Sequence, residues 1–548
     1  MSKGGLLIRN SILRNSLFLT VLVLLSCSKR PRENSVFYLS LPTDPTGLHP
    51  VNNATDGYAS VIGGYVFESL LSRDDDYNWE PALATDWKIS SDKKVFTFTL
   101  REGVKWSDGR PLTAEDVVFS FDVFFDENYQ GAAVRSYLSG IDRVEKVDHK
   151  TVKFIAKEAL HLNFNVAAGL DILPKHFYEQ KGKSKGYFVK NIIGTGPYLL
   201  KEYERGKRIL LEQNPLWWGR DLQKQKERPE YNFPKLSFKV VGDSTVGLER
   251  LKKGTLDYYS LQPVEYVKKT SGGEWEKSVF KVLCKNKSPK GYNWIGWNLK
   301  HPILKSRNVR LALFKLVNRK LMVEKFEYGY SVPAKGPIYP QSPYHDQSIE
   351  VVDFDPKGAL QLLRSEGWSD TNNDQILDKV IGGKRMDFTI TILEPYPPFM
   401  KYLSVFKEDA KKVGVNIEIK QIEWNSFVQL MDEKKFDAIR LTWTASVDWD
   451  PTQIWHTNSI KGGSNFISYS NTEVDRLSEL ARKTFDKEKR IQLLQKAEKL
   501  IVNDYPYVWF TYKDTTMYAY NERIKRPQDC LNYSVGTSFW SFKRRFND

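Results

Sequence analysis

Residues 95–121 carry the most regular pattern in the chain and constrain its fold most strongly. Aromatic and aliphatic residues alternate with polar ones over 95–100, the period of two that is typical of a half-buried strand. Residues 107–109, Ser-Asp-Gly, favour a tight turn because glycine tolerates positive φ. Thr113 is a good N-cap, and the apolar residues after it recur with helical spacing at Val117, Phe121 and Phe124. The segment predicts a strand, a turn and a helix in direct succession, and it contains no catalytic motif.

The N-terminus has the pattern of an export signal. Three basic residues precede the apolar run at 17–25, which is too short to span a bilayer of about 30 Å as a helix. The run ends in Leu-Leu-Ser-Cys, which resembles the lipobox of bacterial lipoproteins, where the cysteine is lipidated and becomes the first mature residue. We therefore expect a signal peptide at 1–26, lipidation of Cys27 and a polar tether at 27–35. The alternative is an ordinary signal peptide with an incidental cysteine.

Length and composition predict a multidomain globular body. A chain of 548 residues has room for about two to four domains. Its 27% charged and 41% hydrophobic residues are typical of a soluble protein. The net charge of +15 falls to +12 without residues 1–26, which hold three bases and no acids. Because the bases are interspersed with acids, we expect a solvated surface and no nucleic-acid partner.

Two features allow more than one interpretation. Cys284 and Cys530 remain besides Cys27, in a compartment that permits disulfides, so both a bridge and two buried thiols stay open. Residues 370–374 place oxygen-bearing side chains at alternate positions, as a calcium loop does. Gln375 stands where an EF-hand loop needs glycine, so a polar turn is the favoured interpretation.

Motifs for other chemistries are incomplete. Gly-Lys-Ser at 182–184 lacks the leading glycine of a P-loop, and the glycines at 194 and 196 lack the third glycine of a dinucleotide fingerprint. Residues 242–246 lack the final glycine of a nucleophile elbow. The seven histidines are scattered and form no HxxxH pair. We therefore expect no catalytic residue, no metal site and no cofactor.

Several segments carry a family resemblance. LATDWKISSDKKVFTFTLREGVKWSDGRPLTAEDVVFSF at 83–121, GTGPY at 194–198 and NPLWWG at 214–219 look like the family 5 extracellular solute-binding proteins, the peptide- and nickel-binding subunits of bacterial ABC importers. Later segments agree, at 254–257, 297–313, 367–368, 411–419 and 436–443. The resemblance covers the chain from about residue 36 to 530 and is specific for the family rather than for a ligand.

The resemblance implies an α/β architecture of the two-lobed periplasmic binding protein type (type II, class C), with mixed sheets and a ligand cleft between the lobes. Lobe I is expected to be discontinuous, with segments at 36–73, 191–285 and 505–548. A domain inserted into lobe I is expected at 74–190, and lobe II at 286–504. The chain then crosses between the lobes twice, and such crossings can act as hinges.

The segment at 441–455, LTWTASVDWDPTQIW, is the best candidate for a ligand wall. Aromatic faces bury apolar area at low entropic cost, and a desolvated aspartate can pair with an ammonium group. Peptide-binding relatives have a W-x-x-D…P segment here, whose aspartate holds the α-ammonium of the peptide. The third residue after Trp443 is Ser446 in this chain, so we expect Asp448 to take that role, with Asp450 second. Trp443 and Trp449 are the expected aromatic contacts; the alternative is a loop whose aromatics plug the domain interface.

A second departure concerns the ligand's carboxylate. Dipeptide-binding relatives place an arginine before a Pro-Tyr pair, and here Glu394 precedes Pro395 and Tyr396. An ionised acid cannot bind a carboxylate, so the sequence argues against a dedicated dipeptide binder and favours a longer peptide or a cationic solute. The other expected ligand contacts, which follow from the resemblance, are Tyr396, Trp297, Asn298, Gly196 and Tyr198.

The expected function is that of a lipid-anchored receptor, a monomer without enzymatic activity on the periplasmic or cell-surface side of a bacterial membrane. It would capture peptides, oligopeptides rather than dipeptides, and deliver them to the permease of an ABC importer. Other solutes remain open, among them a nickel chelate, an oligosaccharide or a cationic small molecule. So do a peptide sensor or chaperone without a transport role and an exported hydrolase.

Overall fold

The structure, a computed structural model, describes residues 32–51, 56–126, 135, 138–179 and 191–543. The predicted signal peptide, Cys27 and most of the tether lie outside the described residues. Within the described part, no helix has the length and apolar character needed to cross a membrane.

Strands are numbered here in chain order. They are β1 (Val36–Leu41), β2 (Leu71–Arg73), β3 (Trp79–Pro81), β4 (Ala84–Ile89), β5 (Val95–Leu100), β6 (Ile141–Lys146), β7 (Thr151–Ala156), β8 (Tyr198–Glu204), β9 (Arg208–Gln213), β10 (Lys235–Val240), β11 (Tyr258–Ser260), β12 (Val279–Cys284), β13 (Tyr292–Trp297), β14 (Ser331–Pro333), β15 (Asp378–Ile381), β16 (Lys384–Asp387), β17 (Thr389–Glu394), β18 (Asn416–Gln421), β19 (Ala438–Trp443), β20 (Tyr507–Lys513), β21 (Thr516–Asn521), β22 (Ile524–Lys525) and β23 (Ser541–Phe542).

The α-helices are numbered in the same way. They are α1 (Gly57–Val66), α2 (Ala114–Asp122), α3 (His161–Ala168), α4 (Lys175–Tyr178), α5 (Arg220–Gln225), α6 (Ser244–Lys252), α7 (Pro263–Lys268), α8 (Arg307–Lys315), α9 (Arg319–Phe326), α10 (Pro356–Ser365), α11 (Met400–Lys411), α12 (Trp424–Asp432), α13 (Thr452–Trp455), α14 (Thr472–Lys483) and α15 (Lys487–Asn503).

Lobe I contains a four-stranded and a three-stranded sheet, besides the short β22–β23 pair. In the first, β1 lies parallel to β10, and β9 and β8 continue the sheet in antiparallel order. The second has the order β11-β21-β12. Phe37 and Leu39 of β1 are buried while Ser40 is half-buried, the alternation expected of a strand with one face on a core. The β8–β9 hairpin turns at Gly206, whose φ of 74° favours glycine.

The inserted domain confirms the strand and the helix predicted over 95–121. Its sheet has the order β4-β5-β7-β6, and Phe96 and Phe98 of β5 are fully buried. Helix α2 begins after Thr113, whose backbone N–H donates to the carboxylate of Asp116 at 2.8 Å. The predicted apolar face of this helix is also buried. A single hydrophobic core joins this domain to lobe I, so the two form one lobe of the molecule.

Lobe II has a separate core around a mixed six-stranded sheet. The strand order is β14-β20-β13-β19-β17-β18, with β17 parallel to both β18 and β19. Trp294 of β13 stacks on Tyr507 of β20, with ring centroids 4.0 Å apart. The two cores are thus built on different sheets, the arrangement expected of an α/β protein with two lobes.

The second crossing between the lobes lies later in the chain than the sequence predicts. Residues 505–548 were expected in lobe I, but β20 pairs with β13 and β14 inside the lobe II sheet. Only the next strand, β21, pairs with β11 and β12 of lobe I. The crossing therefore follows Lys513. The apolar character of 507–512 is compatible with either core, and pairing between distant strands decides which one it joins.

The segment at 370–374 forms the turn that the sequence favours. The carboxylate of Asp370 accepts hydrogen bonds from the backbone N–H groups of Asp374 and Gln375, at 3.2 and 2.9 Å. The carboxylate of Asp374 accepts one from the N–H of Ile376 at 2.8 Å. These side chains thus satisfy the backbone of their own loop.

Cys284 and Cys530 form a disulfide, which decides between the two interpretations of these cysteines. Their Cα atoms are 5.9 Å apart, and 246 residues separate them in sequence. Cys284 is the last residue of β12, directly before the first crossing into lobe II. Cys530 lies in the C-terminal segment, where Asn532 donates to the carboxylate of Asp76 of the inserted domain at 2.8 Å. The disulfide therefore fixes this segment beside the crossing.

We predict that the double substitution Cys284→Ser/Cys530→Ser lowers the free energy of unfolding by about 2–5 kcal/mol, because a cross-link over so long a loop restricts the unfolded chain. Thermal denaturation followed by circular dichroism measures the loss. The oxidised protein should also gain two protons in mass on reduction. An unreduced protein in which both thiols react with a thiol reagent under denaturing conditions would contradict the prediction.

Candidate functional site

Asp448 connects the two lobes. It lies in the loop between β19 and α13, at the edge of lobe II that faces the inserted domain. One carboxylate oxygen accepts a hydrogen bond from the side-chain amide of Asn165, on helix α3, at 2.9 Å. The other accepts one from the hydroxyl of Tyr344 at 3.1 Å. The carboxylate is thus shared between a donor of its own lobe and a donor of the opposite lobe.

Asn165 is held in place by the β2–β3 hairpin. Its side-chain oxygen accepts from the indole N–H of Trp79 at 3.1 Å and from the guanidinium of Arg73 at 3.4 Å. The guanidinium carbon of Arg73 lies 3.4 Å from the ring centroid of Trp79, and the group also donates to the carbonyl of Tyr77 at 2.6 Å. Because its oxygen is engaged with lobe I donors, the amide directs its N–H group toward lobe II.

A cavity of about 480 Å³ lies between the lobes beside this network. Lobe I and the inserted domain contribute Arg73, Trp79 and Phe164 to its wall, whereas lobe II contributes Tyr344, Asp448 and Arg490, among others. Its charged lining residues are Arg73, Asp76, Lys93, Asp448, Lys487 and Arg490. The cavity therefore presents aromatic surface together with groups of both charges.

Burial changes the titration of two groups in this cavity. It lowers the pKa of His161, and the nearby Arg490 guanidinium lowers it further, so this imidazole is neutral at pH 7. Burial and the Asp448 carboxylate raise the pKa of Tyr344 to about 12, so its hydroxyl remains a donor. Arg490 is itself buried and donates to the carbonyls of Thr484 and Phe485 at 2.9 and 3.2 Å.

Other contacts hold the lobes together near Asp448. Lys483 of α14 pairs with Glu158 of the inserted domain at 3.1 Å. The imidazole Nδ1 of His161 lies 3.2 Å from the carbonyl oxygen of Arg482, the residue before Lys483. These contacts near Asp448 are polar, and the two largest hydrophobic cores lie in separate lobes.

The remaining predicted residues of the 441–455 segment have contacts within lobe II. Asp450 accepts from the N–H of Thr452 at 3.0 Å, at the start of α13, and lies 3.4 Å from the guanidinium of Arg482. Trp443 stacks near Trp294, with ring centroids 5.8 Å apart. Trp449 packs against the lobe II core. Asp448 is the predicted residue of this segment that lines the cavity.

Glu394 is fully buried in an ion pair with Arg440. The sequence alone did not indicate a role for Arg440. The guanidinium donates to both carboxylate oxygens, once at 2.6 Å, and the N–H of Tyr396 donates to the same carboxylate at 2.5 Å. Arg440 also lies over the ring of Phe399, 4.6 Å from its centroid. The sequence did contain one signal for this ion pair. Arg440 is a charged residue inside the apolar strand at 438–443, and a buried charge requires a partner. Tyr396 itself is 57% exposed.

The other four residues predicted to contact the ligand are buried and make contacts within the protein. Trp297 is fully buried, and the side chain of Asn298 donates to the carbonyl of Phe436 at 2.8 Å. The hydroxyl of Tyr198 donates to the carbonyl of Phe233 at 2.8 Å. Gly196 donates its N–H to the carbonyl of Val66 at 2.9 Å, and a Cβ at this position would lie only 2.8 Å from that oxygen. The close approach that requires glycine here is made by the backbone at the end of α1.

Comparison with known proteins shows the family to which this chain belongs. The family model for bacterial extracellular solute-binding proteins, family 5 Middle, matches residues 78–465. The oligopeptide-binding protein AppA of Bacillus subtilis is 28% identical over 499 residues, which cover 89% of this chain and 88% of the relative. The dipeptide-binding protein of Escherichia coli K12 is 27% identical over 454 residues, 78% of this chain and 79% of the relative.

Solved structures agree with the family model. The Bacillus subtilis AppA structure in complex with a nonapeptide is similar with a TM-score of 0.77 at 27% identity, covering 93% of this chain and 99% of that one. NikZ from Campylobacter jejuni in complex with Ni(L-His) has the same fold, with a TM-score of 0.76 at 23% identity, covering 93% of this chain and 100% of that one. With the family model matching most of the chain and whole-length structural similarity besides, this protein is a member of family 5 of the bacterial extracellular solute-binding proteins.

Proposed function

We propose that this protein is the substrate-binding receptor of an ABC importer and that it holds a peptide in the cavity between the lobes. The observation that carries the proposal is the state of Asp448. Its hydrogen-bond donors among the described residues are the neutral groups of Asn165 and Tyr344, and Arg73 is near enough to interact with it electrostatically; the carboxylate is half-buried beside an aromatic cavity. A buried carboxylate gains most from a cation, and the α-ammonium of a peptide supplies one.

A carboxylate of the ligand also finds complementary charge in this cavity. Arg73 comes from lobe I and Arg490 from lobe II, so cations flank the cavity from both sides. A guanidinium group suits a carboxylate because it can donate two parallel hydrogen bonds. A zwitterionic ligand therefore matches the cavity better than a purely cationic solute does.

An oligopeptide fits better than a dipeptide. Arg440 stands near Tyr396, but Glu394 neutralises it, so no arginine is left to bind a carboxylate at the position where dipeptide-binding relatives use one. The relative solved with a nonapeptide is also similar over nearly the whole chain. A longer peptide can be held along its backbone, without a clamp at a fixed distance from its ammonium group.

Delivery follows from the two-lobed geometry. A ligand that contacts both lobes stabilises the closed arrangement, which a permease can distinguish from an open one. In this proposal the receptor carries out no chemical reaction on its ligand. It is anchored through a lipid on Cys27, on the periplasmic or cell-surface side of the membrane.

We predict that Asp448→Asn weakens binding of peptides with a free N-terminus by about 10- to 100-fold, since a hydrogen bond to a charged group contributes about 1.5–3 kcal/mol. Isothermal titration calorimetry with an oligopeptide library measures the change. N-acetylated peptides should bind weakly to the wild type and lose little more in the variant. Asp450→Asn is the matched control, because that carboxylate contacts Thr452 and Arg482. Equal affinity of the wild type for free and acetylated peptides would contradict the proposal.

We further predict that Glu394→Gln lowers the free energy of unfolding by about 3–5 kcal/mol, because it leaves Arg440 buried without its ionic partner. Urea denaturation measures the loss, and the double variant Glu394→Met/Arg440→Met should recover most of it. The preference between cationic and neutral peptides should stay unchanged in Glu394→Gln. A changed preference with unchanged stability would show that Glu394 contacts the ligand instead.

A further inference from the structure

A second cavity, of about 370 Å³, lies between helix α1 of lobe I and helix α3 of the inserted domain. Its walls are mainly aliphatic and aromatic, with Leu48, Phe67, Phe124 and Leu170 among the lining residues. Asn165, whose amide donates to Asp448, lines this cavity as well as the interlobe cavity. The two cavities therefore share one lining residue, which is the residue that contacts the proposed ammonium site.

Helix α1 makes room for this cavity with two consecutive glycines. Gly63 and Gly64 lie within the helix and line the cavity. Glycine inside a helix costs about 1 kcal/mol relative to alanine. A Cβ at Gly64 would meet no atom within 4 Å, and one at Gly63 would meet only Phe67, at 3.6 Å. Packing within the described protein therefore does not require glycine at either position. Because neither residue has a side chain, this wall of the cavity stays open.

Among the described lining residues, the cavity has one carboxylate, that of the exposed Asp171. The side chain of Asp171 lines the cavity and has no hydrogen bond or ion pair among the described contacts. The surrounding protein raises the pKa of this carboxyl to about 6, so it is mostly ionised at pH 7. The other titratable lining residue, His49, is buried, and burial lowers its pKa to about 4. A neutral imidazole cannot balance the charge of Asp171.

We propose that this second cavity is a specificity subsite for a basic side chain of the bound peptide. The aliphatic stem of a lysine would pack against α1 and the apolar walls, and its ammonium group would reach Asp171. A lysine stem buries apolar area while its charged end needs a polar partner, which is what these walls and this carboxylate offer. An uncharged side chain of the same length would fill the cavity but leave the carboxylate desolvated and unpaired, at a cost. The inference rests on the proposed function, because the subsite receives part of a peptide whose N-terminus lies at Asp448.

The test compares lysine with norleucine, which has a similar stem without the charge. Alanine tetrapeptides carry lysine or norleucine at each position in turn, and calorimetry measures their affinity for wild type, Asp171→Asn and the control Asp122→Asn. Asp122 is an aspartate of the same domain whose pKa burial also raises, and it lies outside both cavities. We expect one position at which the wild type prefers lysine by about 10-fold or more. Asp171→Asn should abolish that preference, and Asp122→Asn should keep it.

A second variant tests the cavity independently of its charge. Gly64→Leu places a side chain into the open space above α1 and should weaken the lysine and norleucine peptides at that position alike. Asp171→Asn should unfold at the same temperature as the wild type or a higher one, because it removes an unpaired charge. If peptides bind through Asp448 but show no lysine preference, the subsite is overturned and the proposed function stands. If no tetrapeptide or longer peptide binds, the proposed function fails and the subsite fails with it.

Discussion

The arrangement of the two lobes depends on a pair of crossings that run side by side. Strand β12 pairs with β21 in lobe I, where Cys284 lies opposite Thr516, and β13 pairs with β20 in lobe II, where Tyr292 lies opposite Tyr512. The chain passes from β12 to β13 and returns from β20 to β21, so strand pairing flanks both crossings on each side. Lys290 spans them by donating to the hydroxyl of Thr516 at 3.1 Å. The covalent connection between the lobes is therefore confined to one narrow strip, beside which the disulfide at Cys284 links two segments of lobe I.

Away from these crossings, polar contacts alone join the lobes near the interlobe cavity. The ion pair between Lys483 and Glu158 is solvent-exposed and contributes about 0–1 kcal/mol. The hydrogen bond between Asn165 and Asp448 adds one part-buried contact between the lobes. Such contacts can stabilise a closed arrangement only slightly relative to an open one, which has the higher entropy. A ligand that bridges the lobes can thus decide the population, since it needs only to bind the closed arrangement more tightly than the open one.

Local patterns in the sequence predicted local structure well. The alternation over 95–100 and the cap at Thr113 gave the correct strand and helix because both depend on residues close in the chain. Sheet membership of β20 could not be read in this way, since its apolar residues suit either core and its partner β13 is about two hundred residues away. The ion pair between Glu394 and Arg440 could not be predicted either, because 46 residues separate the two and their spacing does not identify them as partners. Asp448 was predicted as a ligand contact from the aromatic and acidic residues around it and from the family resemblance, whereas Asp171 lies in a segment without any motif.

The acids of this protein differ in the partners that the fold supplies to them. Asp257 is paired with both Arg32 and Arg523, and Glu394 has Arg440, so their charges are already balanced inside the protein. Asp448 has only neutral donors, and Asp171 has no described partner. A carboxylate that loses solvent when a ligand fills its cavity gains free energy from a cation on that ligand. Asp448 and Asp171 lie on cavities that share Asn165 as a lining residue, and in the proposed function a ligand with two positive charges would balance both.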